Sequence, residues 1–250
     1  MQYKITPPTH IEDTIQLPAS KSISNRALII HALAGGNIMP ENLSTCDDTA
    51  VIARAFKDNP YEIDIMAAGT AMRFMTAYLS VTEGEHVLTG TERMKQRPIK
   101  ILVDALRSLG ADIQYVGEEG FPPLRIKGKR LTGGSIEVAG NVSSQYVSAL
   151  LMIGPTLEKG LELKLLGNVI SRPYIDLTLN VMHEYGADAE WTDIDTITIR
   201  PKRYEERSYT IENDWTSASY WYAILTLLND RKSYIRFTGL KNGSRQGDSA

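Results

Sequence analysis

Arg97-Pro98-Ile99-Lys100, running on to Leu109-Gly110-Ala111-Asp112, and Arg172-Pro173-Tyr174-Ile175, running on to Tyr185-Gly186-Ala187-Asp188, repeat one another and decide the fold. Each predicts a helix with proline just inside its start and glycine just past its end. Upstream of each, Leu88-Thr89-Gly90 and Leu165-Leu166-Gly167 read as the close of a strand. Further upstream, a turn of small residues opens an apolar helix: Ala68-Gly69-Thr70-Ala71-Met72-Arg73 leads on to Leu79, and Val142-Ser143-Ser144-Gln145-Tyr146 leads on to Met152. A third copy begins at Trp215-Thr216-Ser217-Ala218-Ser219, continues as a helix from Tyr220 to Leu228, and closes its strand at Phe237-Thr238-Gly239. The closing glycines fall at nearly equal intervals. The unit is therefore turn, helix, strand, Arg-Pro, helix, Gly-Ala-Asp, then paired strands. This predicts an α/β fold of α+β type made of repeated βαβαββ units, with a period too long for a slender solenoid.

Outside the repeats, the residues before Pro18 read as one or two short strands broken by Pro7-Pro8. Asn37 to Leu43 reads as a strand, and Asp47-Asp48-Thr49 as the cap of a helix through Phe56. Tyr61 to Ile65 alternates like a strand.

The helix starts carry the functional inference. In Pro18-Ala19-Ser20-Lys21-Ser22-Ile23-Ser24-Asn25-Arg26, three serines precede the apolar run Ala27 to Leu33. A lysine in a first turn is misplaced against the positive end of the helix dipole unless an anion sits there. Taken alone, the stretch reads better as a capped helix with a solvated lysine. Four similar starts (Ser20-Lys21-Ser22, Gly69-Thr70, Ser143-Ser144, Thr216-Ser217) with Arg26, Arg73, Arg97 and Arg172 at or near them favour an anion-attracting end of the domain.

Composition sets the frame. The 250 residues are 42% hydrophobic and 23% charged, which suits a globular protein with a sizeable core. A net charge of −3 argues against general nucleic-acid binding, so any basic site is local. With Cys46 the single cysteine, no intrachain disulfide forms, and a reducing cytoplasmic location is expected. Met1-Gln2-Tyr3-Lys4-Ile5 has no apolar signal core, and no apolar run is long enough to span a bilayer. His10, His31, His86 and His183 are scattered, with no metal-ligand spacing.

With those residues in hand, the chain resembles the 5-enolpyruvylshikimate-3-phosphate synthase (3-phosphoshikimate 1-carboxyvinyltransferase) family along nearly its whole length. The likeness rests on Ser20 to Arg26, Ala68 to Arg73, Arg93-Met94-Lys95-Gln96-Arg97-Pro98, Val142 to Gln145, Ser171 to Asp176, and Thr216 to Tyr220, in order. It implies two similar domains, each of three βαβαββ units with a pseudo-threefold repeat, and an active site in the cleft between them. By that analogy residues 20–212 form one complete domain. Residues 1–19 are strands of the second, and residues 213–250 are its start.

The resemblance also implies roles. Lys21 looks like the lysine shared by phosphoenolpyruvate and shikimate 3-phosphate, and it is the one catalytic candidate. Ser22 and Arg26 look like contacts of the shikimate carboxylate, and Gly69 and Arg97 like contacts of phosphoenolpyruvate. Ser143, Ser144 and Ser171 look like ligands of the 3-phosphate, with Gln145 between the substrates and Tyr174 on the same wall. The implied reaction adds the 5-hydroxyl of shikimate 3-phosphate to C2 of phosphoenolpyruvate, protonates C3, and expels phosphate. It calls for acid and base groups rather than a metal or organic cofactor. The resemblance further implies a monomer at full length, with neither nucleic acid nor membrane as partner.

The chain departs from the family pattern at Ala67 (often asparagine), Phe74 (often proline) and Asn213-Asp214 (usually Gly-Asp). Family members are much longer, so the chain is expected to be a fragment holding half the active site, binding shikimate 3-phosphate weakly without turnover. Its apolar helix from Tyr220 and strand Tyr234 to Phe237 are expected to lack cover. Two other readings stand: a related UDP-N-acetylglucosamine enolpyruvyl transferase, and a non-catalytic phosphate-ester binding domain.

Overall fold

The structure, a computed structural model, describes residues 4 and 6–249. In chain order the elements are β1 (Glu12–Gln16), α1 (Lys21–Leu33), α2 (Asp47–Asp58), β2 (Glu62–Asp64), α3 (Gly69–Val81), β3 (Gly84–Thr89), α4 (Glu92–Lys95), α5 (Lys100–Ser108), β4 (Asp112–Tyr115) and β5 (Leu124–Gly128). There follow β6 (Gly134–Ala139), α6 (Ser144–Ile153), β7 (Leu161–Leu166), α7 (Arg172–Glu184), β8 (Ala189–Trp191), β9 (Thr196–Ile199), α8 (Trp215–Leu228) and β10 (Tyr234–Thr238).

Two four-stranded sheets have one topology. Their orders are β2-β3-β5-β4 and β6-β7-β9-β8, each with one parallel pair followed by two antiparallel pairs. A helix connects each parallel pair, and a second helix leads into each antiparallel hairpin, so each sheet is a βαβαββ unit. The strands alternate cleanly: in β7, Leu161, Leu163 and Leu165 are buried while Glu162, Lys164 and Leu166 face outward. That period-2 pattern gives each sheet one wet face and one face for the helices.

Helices α1, α3 and α6 fill the interior. Nearly every residue of α3 is buried, including Met72, Phe74 and Met75, so this helix sits in the core and holds its few polar side chains, Arg73 among them, inside. Outer helices differ: α5 buries only Leu102, Val103 and Leu106 and turns its charges outward. Truncating a core residue such as Phe74 to alanine costs about 3–5 kcal/mol by the usual cavity relation.

Three expectations need correction. Asn37 to Leu43 forms no strand, only an isolated bridge from Glu41 to Thr210. Pro40 lacks an N–H for a ladder, and Asn42 turns to φ +54°. Pro173 lies inside its helix as expected, but Pro98 precedes α5, whose N-cap is Ile99. The Pro98 carbonyl is taken by side chains rather than by the helix ladder. The expected caps also shift. Cys46 rather than Asp47 is the N-cap of α2, and Asp214, accepting from the Ser217 N–H at 3.1 Å, caps α8.

β1 pairs in parallel with β10, apart from the two larger sheets, joining the segment before α1 to the one after α8. The strand expected ahead of Pro7 falls largely on residues outside those described. Among the described residues, no helix is long and apolar enough to cross a membrane.

Candidate active site

The starts of α1, α3 and α6 meet at one cavity of about 310 Å³. Its wall includes Lys21, Ser22 and Arg26 from α1, Thr70 from α3, Ser143, Ser144 and Gln145 from the α6 turn, and Tyr174 from α7. Asp214 and Thr216, at the start of α8, close the rim. These starts are small or hydroxylated residues because the wall is built from backbone N–H groups and short side chains. Ser143 caps α6 by accepting from the Gln145 N–H at 3.3 Å, and Gln145 Nε2 reaches across to donate to Thr70 Oγ1 at 3.2 Å.

Arg97 and Gly69 stand beside this wall. A Cβ on Gly69 would lie 2.7 Å from Arg97 Nη2 and 2.8 Å from its Cζ. The guanidinium therefore rests on bare backbone, which glycine alone permits. Arg97 also lines, with Ala67, Arg93 and Met94, a neighbouring recess of about 420 Å³. Ser171 lies in a third recess, about 210 Å³, which shares Ser22, Tyr174 and Thr216 with the main cavity. It is the N-cap of α7 at φ +57°, and its side chain makes no capping bond.

The electrostatics are unbalanced toward positive charge. Lys21 Nζ is 3.9 Å from Asp48 Oδ2. Among the described residues, no carboxylate forms an ion pair with Arg26, Arg73 or Arg97. Arg26 is almost wholly buried, and burial pushes its guanidinium down to about 10. Burial first, and then the neighbouring Arg73, also lower the pKa of Arg97. A buried cation without a counter-charge is costly, and an anion entering the cavity relieves that cost.

The residues singled out from the sequence are placed unequally. Lys21, Ser22, Ser143, Ser144, Gln145 and Tyr174 line one cavity, with Gly69, Arg97 and Ser171 at its margins. Arg26 reaches the wall, but its guanidinium is largely engaged inside the protein. Nε donates to Thr178 Oγ1 at 2.7 Å, Nη1 to the Ser22 carbonyl at 2.8 Å, and Nη2 to Ser148 Oγ at 2.9 Å and the Tyr174 carbonyl at 3.4 Å. Arg172 is turned away: its guanidinium carbon lies 3.8 Å from the Trp191 ring centroid, and Nη1 donates to the Ile194 carbonyl.

Sequence reasoning gave no site role to Asp48, Asn25 or Asp214. Asp48 faces Lys21 and accepts from the Thr70 N–H at 3.2 Å, joining two of the helix starts. Asn25 accepts from Thr49 Oγ1 at 2.7 Å, while its buried Nδ2 has no partner among the described residues. The available signal for Asp48 was an acid in the first turn of α2, which equally suits a helix dipole.

Comparison with known proteins fits this geometry. The family model of EPSP synthase (3-phosphoshikimate 1-carboxyvinyltransferase) matches residues 5–58 and 53–250. The chain belongs to the EPSP synthase family. It is 59% identical over 249 residues to the 3-phosphoshikimate 1-carboxyvinyltransferase of Bacteroides fragilis (strain ATCC 25285), covering 100% of this chain and 60% of that protein. It is 38% identical over 275 residues to the protein of the same name from Histophilus somni (strain 2336), covering 98% and 63%. The chain thus spans about 60% of the length of the curated relatives it matches. A solved structure of EPSP synthase from Acinetobacter baumannii superposes with a TM-score of 0.75 at 23% identity, over 87% of this chain and 54% of that one. That likeness establishes a shared fold.

Proposed function

We propose that this chain supplies one wall of the active site for enolpyruvyl transfer from phosphoenolpyruvate to the 5-hydroxyl of shikimate 3-phosphate, with release of phosphate. One observation carries the reading: three helix starts, Lys21 and Arg26 line a single cavity with Arg97 at its margin, and among the described residues neither arginine has an ion-pair partner. Two polyanions repel one another in water. Cations and oriented N–H dipoles fixed in advance offset that repulsion and set the reacting atoms in place.

The assigned roles follow the wall. Ser143 and Ser144 present hydroxyls and amides at the start of α6 for the 3-phosphate, joined by Ser171 from the margin. Ser22 and Arg26, which both line this wall, are assigned to the carboxylate of the same substrate. Arg97, lying on Gly69, offers a planar fork for phosphoenolpyruvate. Lys21 stands where both substrates are within reach of one ammonium, and Gln145 separates them. Residues 20–212 act as the complete repeat domain, and β1, α8 and β10 belong to a second one.

Titration calorimetry with three ligands tests this reading. Shikimate 3-phosphate is expected to bind, phosphoenolpyruvate to bind more tightly in its presence, and UDP-N-acetylglucosamine to give no heat. Preference for the nucleotide sugar would overturn the assignment.

A further inference from the structure

The carbonyl oxygen of Pro98 is where three elements of the wall meet. Tyr146 Oη, from α6, donates to it at 2.7 Å, and Arg73 Nη2, from α3, at 3.2 Å. Arg73 Nη1 also donates to the Gly69 carbonyl at 3.0 Å, and the same guanidinium lies over the Tyr146 ring, 5.7 Å from its centroid. Tyr146 and Arg73 are both buried, and neither lines the cavity. Yet Pro98 directly follows Arg97, and Tyr146 directly follows Gln145. One oxygen atom thus joins the corner that holds Arg97 to the turn that holds Ser143, Ser144 and Gln145.

We propose that Tyr146 is a positioning residue whose hydroxyl couples two anion subsites. An anion on the Ser143–Gln145 turn orders α6, and the Tyr146 hydroxyl transmits that order to the Pro98 peptide and hence to Arg97. The second anion then binds to a corner already set, so the first raises the affinity for the second. The Gln145–Thr70 bond ties the same two helix starts at the cavity surface. Tyr146 is the informative member because phenylalanine removes only the hydroxyl. The ring stays under Arg73, and the Pro98 carbonyl keeps the Arg73 bond, so no buried group is orphaned.

The identity of the two anions rests on the proposed function, so the test has two arms. In the first, phosphoenolpyruvate affinity is measured with and without saturating shikimate 3-phosphate. The unsubstituted chain is expected to show an enhancement of at least about fivefold, which Tyr146→Phe reduces toward one at an unchanged melting midpoint. An enhancement that survives the substitution, whether or not the midpoint falls, overturns the proposal. In the second arm, inorganic phosphate is titrated while amide exchange is followed in segments 97–99 and 143–146. Both segments are expected to slow together in the unsubstituted chain, and only 143–146 in Tyr146→Phe. Slowing of both segments in the variant overturns the coupling and leaves the functional reading intact. Coupled slowing with phosphate, without binding of either organic substrate, overturns the functional reading and supports the coupling.

Discussion

Lys21 and Arg26 belong to one motif, and from the sequence they look like equal contributors to one charged site. The structure separates them by burial: Lys21 is half-exposed, whereas Arg26 is 3% exposed and holds Thr178, Ser148 and the Ser22 carbonyl. Lys21→Ala is therefore expected to weaken shikimate 3-phosphate binding while changing unfolding free energy by less than about 0.5 kcal/mol. Arg26→Ala should cost about 2–4 kcal/mol, because it empties a packed space and strips partners from buried hydroxyls. Urea unfolding of the two variants checks the contrast, and equal losses would refute it. Gly69→Ala tests the other corner. The added methyl meets the far end of a flexible side chain, so the fold should hold while Arg97 is pushed aside. Calorimetry should show phosphoenolpyruvate affinity falling about tenfold, which is about 1.4 kcal/mol, with shikimate 3-phosphate affinity kept. Lys21 and the serines on the wall were legible because each lies in a contiguous motif at a helix start, whereas Arg172, read the same way, turns to Trp191. Asp48 and Asp214 were not, because their meaning depends on which helix start lies opposite, and that is a tertiary fact.

At the scale of elements, the repeat was legible because its period-2 strands and its helices ending in Gly-Ala-Asp are local patterns, and both sheets follow them. The expected strand at Asn37 to Leu43 failed where Pro40 and a left-handed Asn42 overrode the alternation. Pro98 shows a different limit. Its carbonyl serves Tyr146 and Arg73 from two other helices, a demand that no local reading of Arg97-Pro98 contains. A local hydrogen-bonded clasp lies beside the β1–β10 pair. Asp230 accepts from His10 at 2.7 Å and from Ser233 Oγ at 2.8 Å, and these bonds, with the Lys232 N–H, hold its carboxyl down to about 2. Its folded pKa is thus below the ordinary 3.8, so its contribution is complete above that value and is lost as the pH falls toward about 2. Amide exchange of Tyr234–Thr238, corrected for intrinsic rate, is expected to accelerate between about pH 4 and pH 2, and Asp230→Asn should abolish the step. A step that persists in the variant would assign it to another group.

Across the whole molecule, stability is unevenly spread. α3 and α6 pack on each other in the core and are almost wholly buried, and their amides can exchange only when that body opens. α8 is apolar all round, yet Ala218 is its only buried residue, and Leu227 is 85% exposed. Its neighbours β1 and β10 form a sheet of two strands, which is marginal in water without further cover. The sequence foresaw this, since a helix reading Trp215-Thr216-Ser217-Ala218-Ser219-Tyr220 and then Trp221 to Leu228 has no polar face to give to solvent. The start of α8 is better anchored than its end. Asp214 caps it, the Asp214 N–H donates to the Pro18 carbonyl at 2.8 Å, and Gln246 donates to the Asn213 carbonyl at 2.8 Å. Exchange protection should therefore fall along α8 from Ser217 to Leu228, and the amides of β10 should exchange at least about tenfold faster than those of α3. Dye binding to exposed apolar surface should drop in Leu227→Glu with the melting of the main body unchanged. If α8 and β10 proved as protected as α3, the chain would be one cooperative body, and the proposed division of residues 20–212 from the rest would fail.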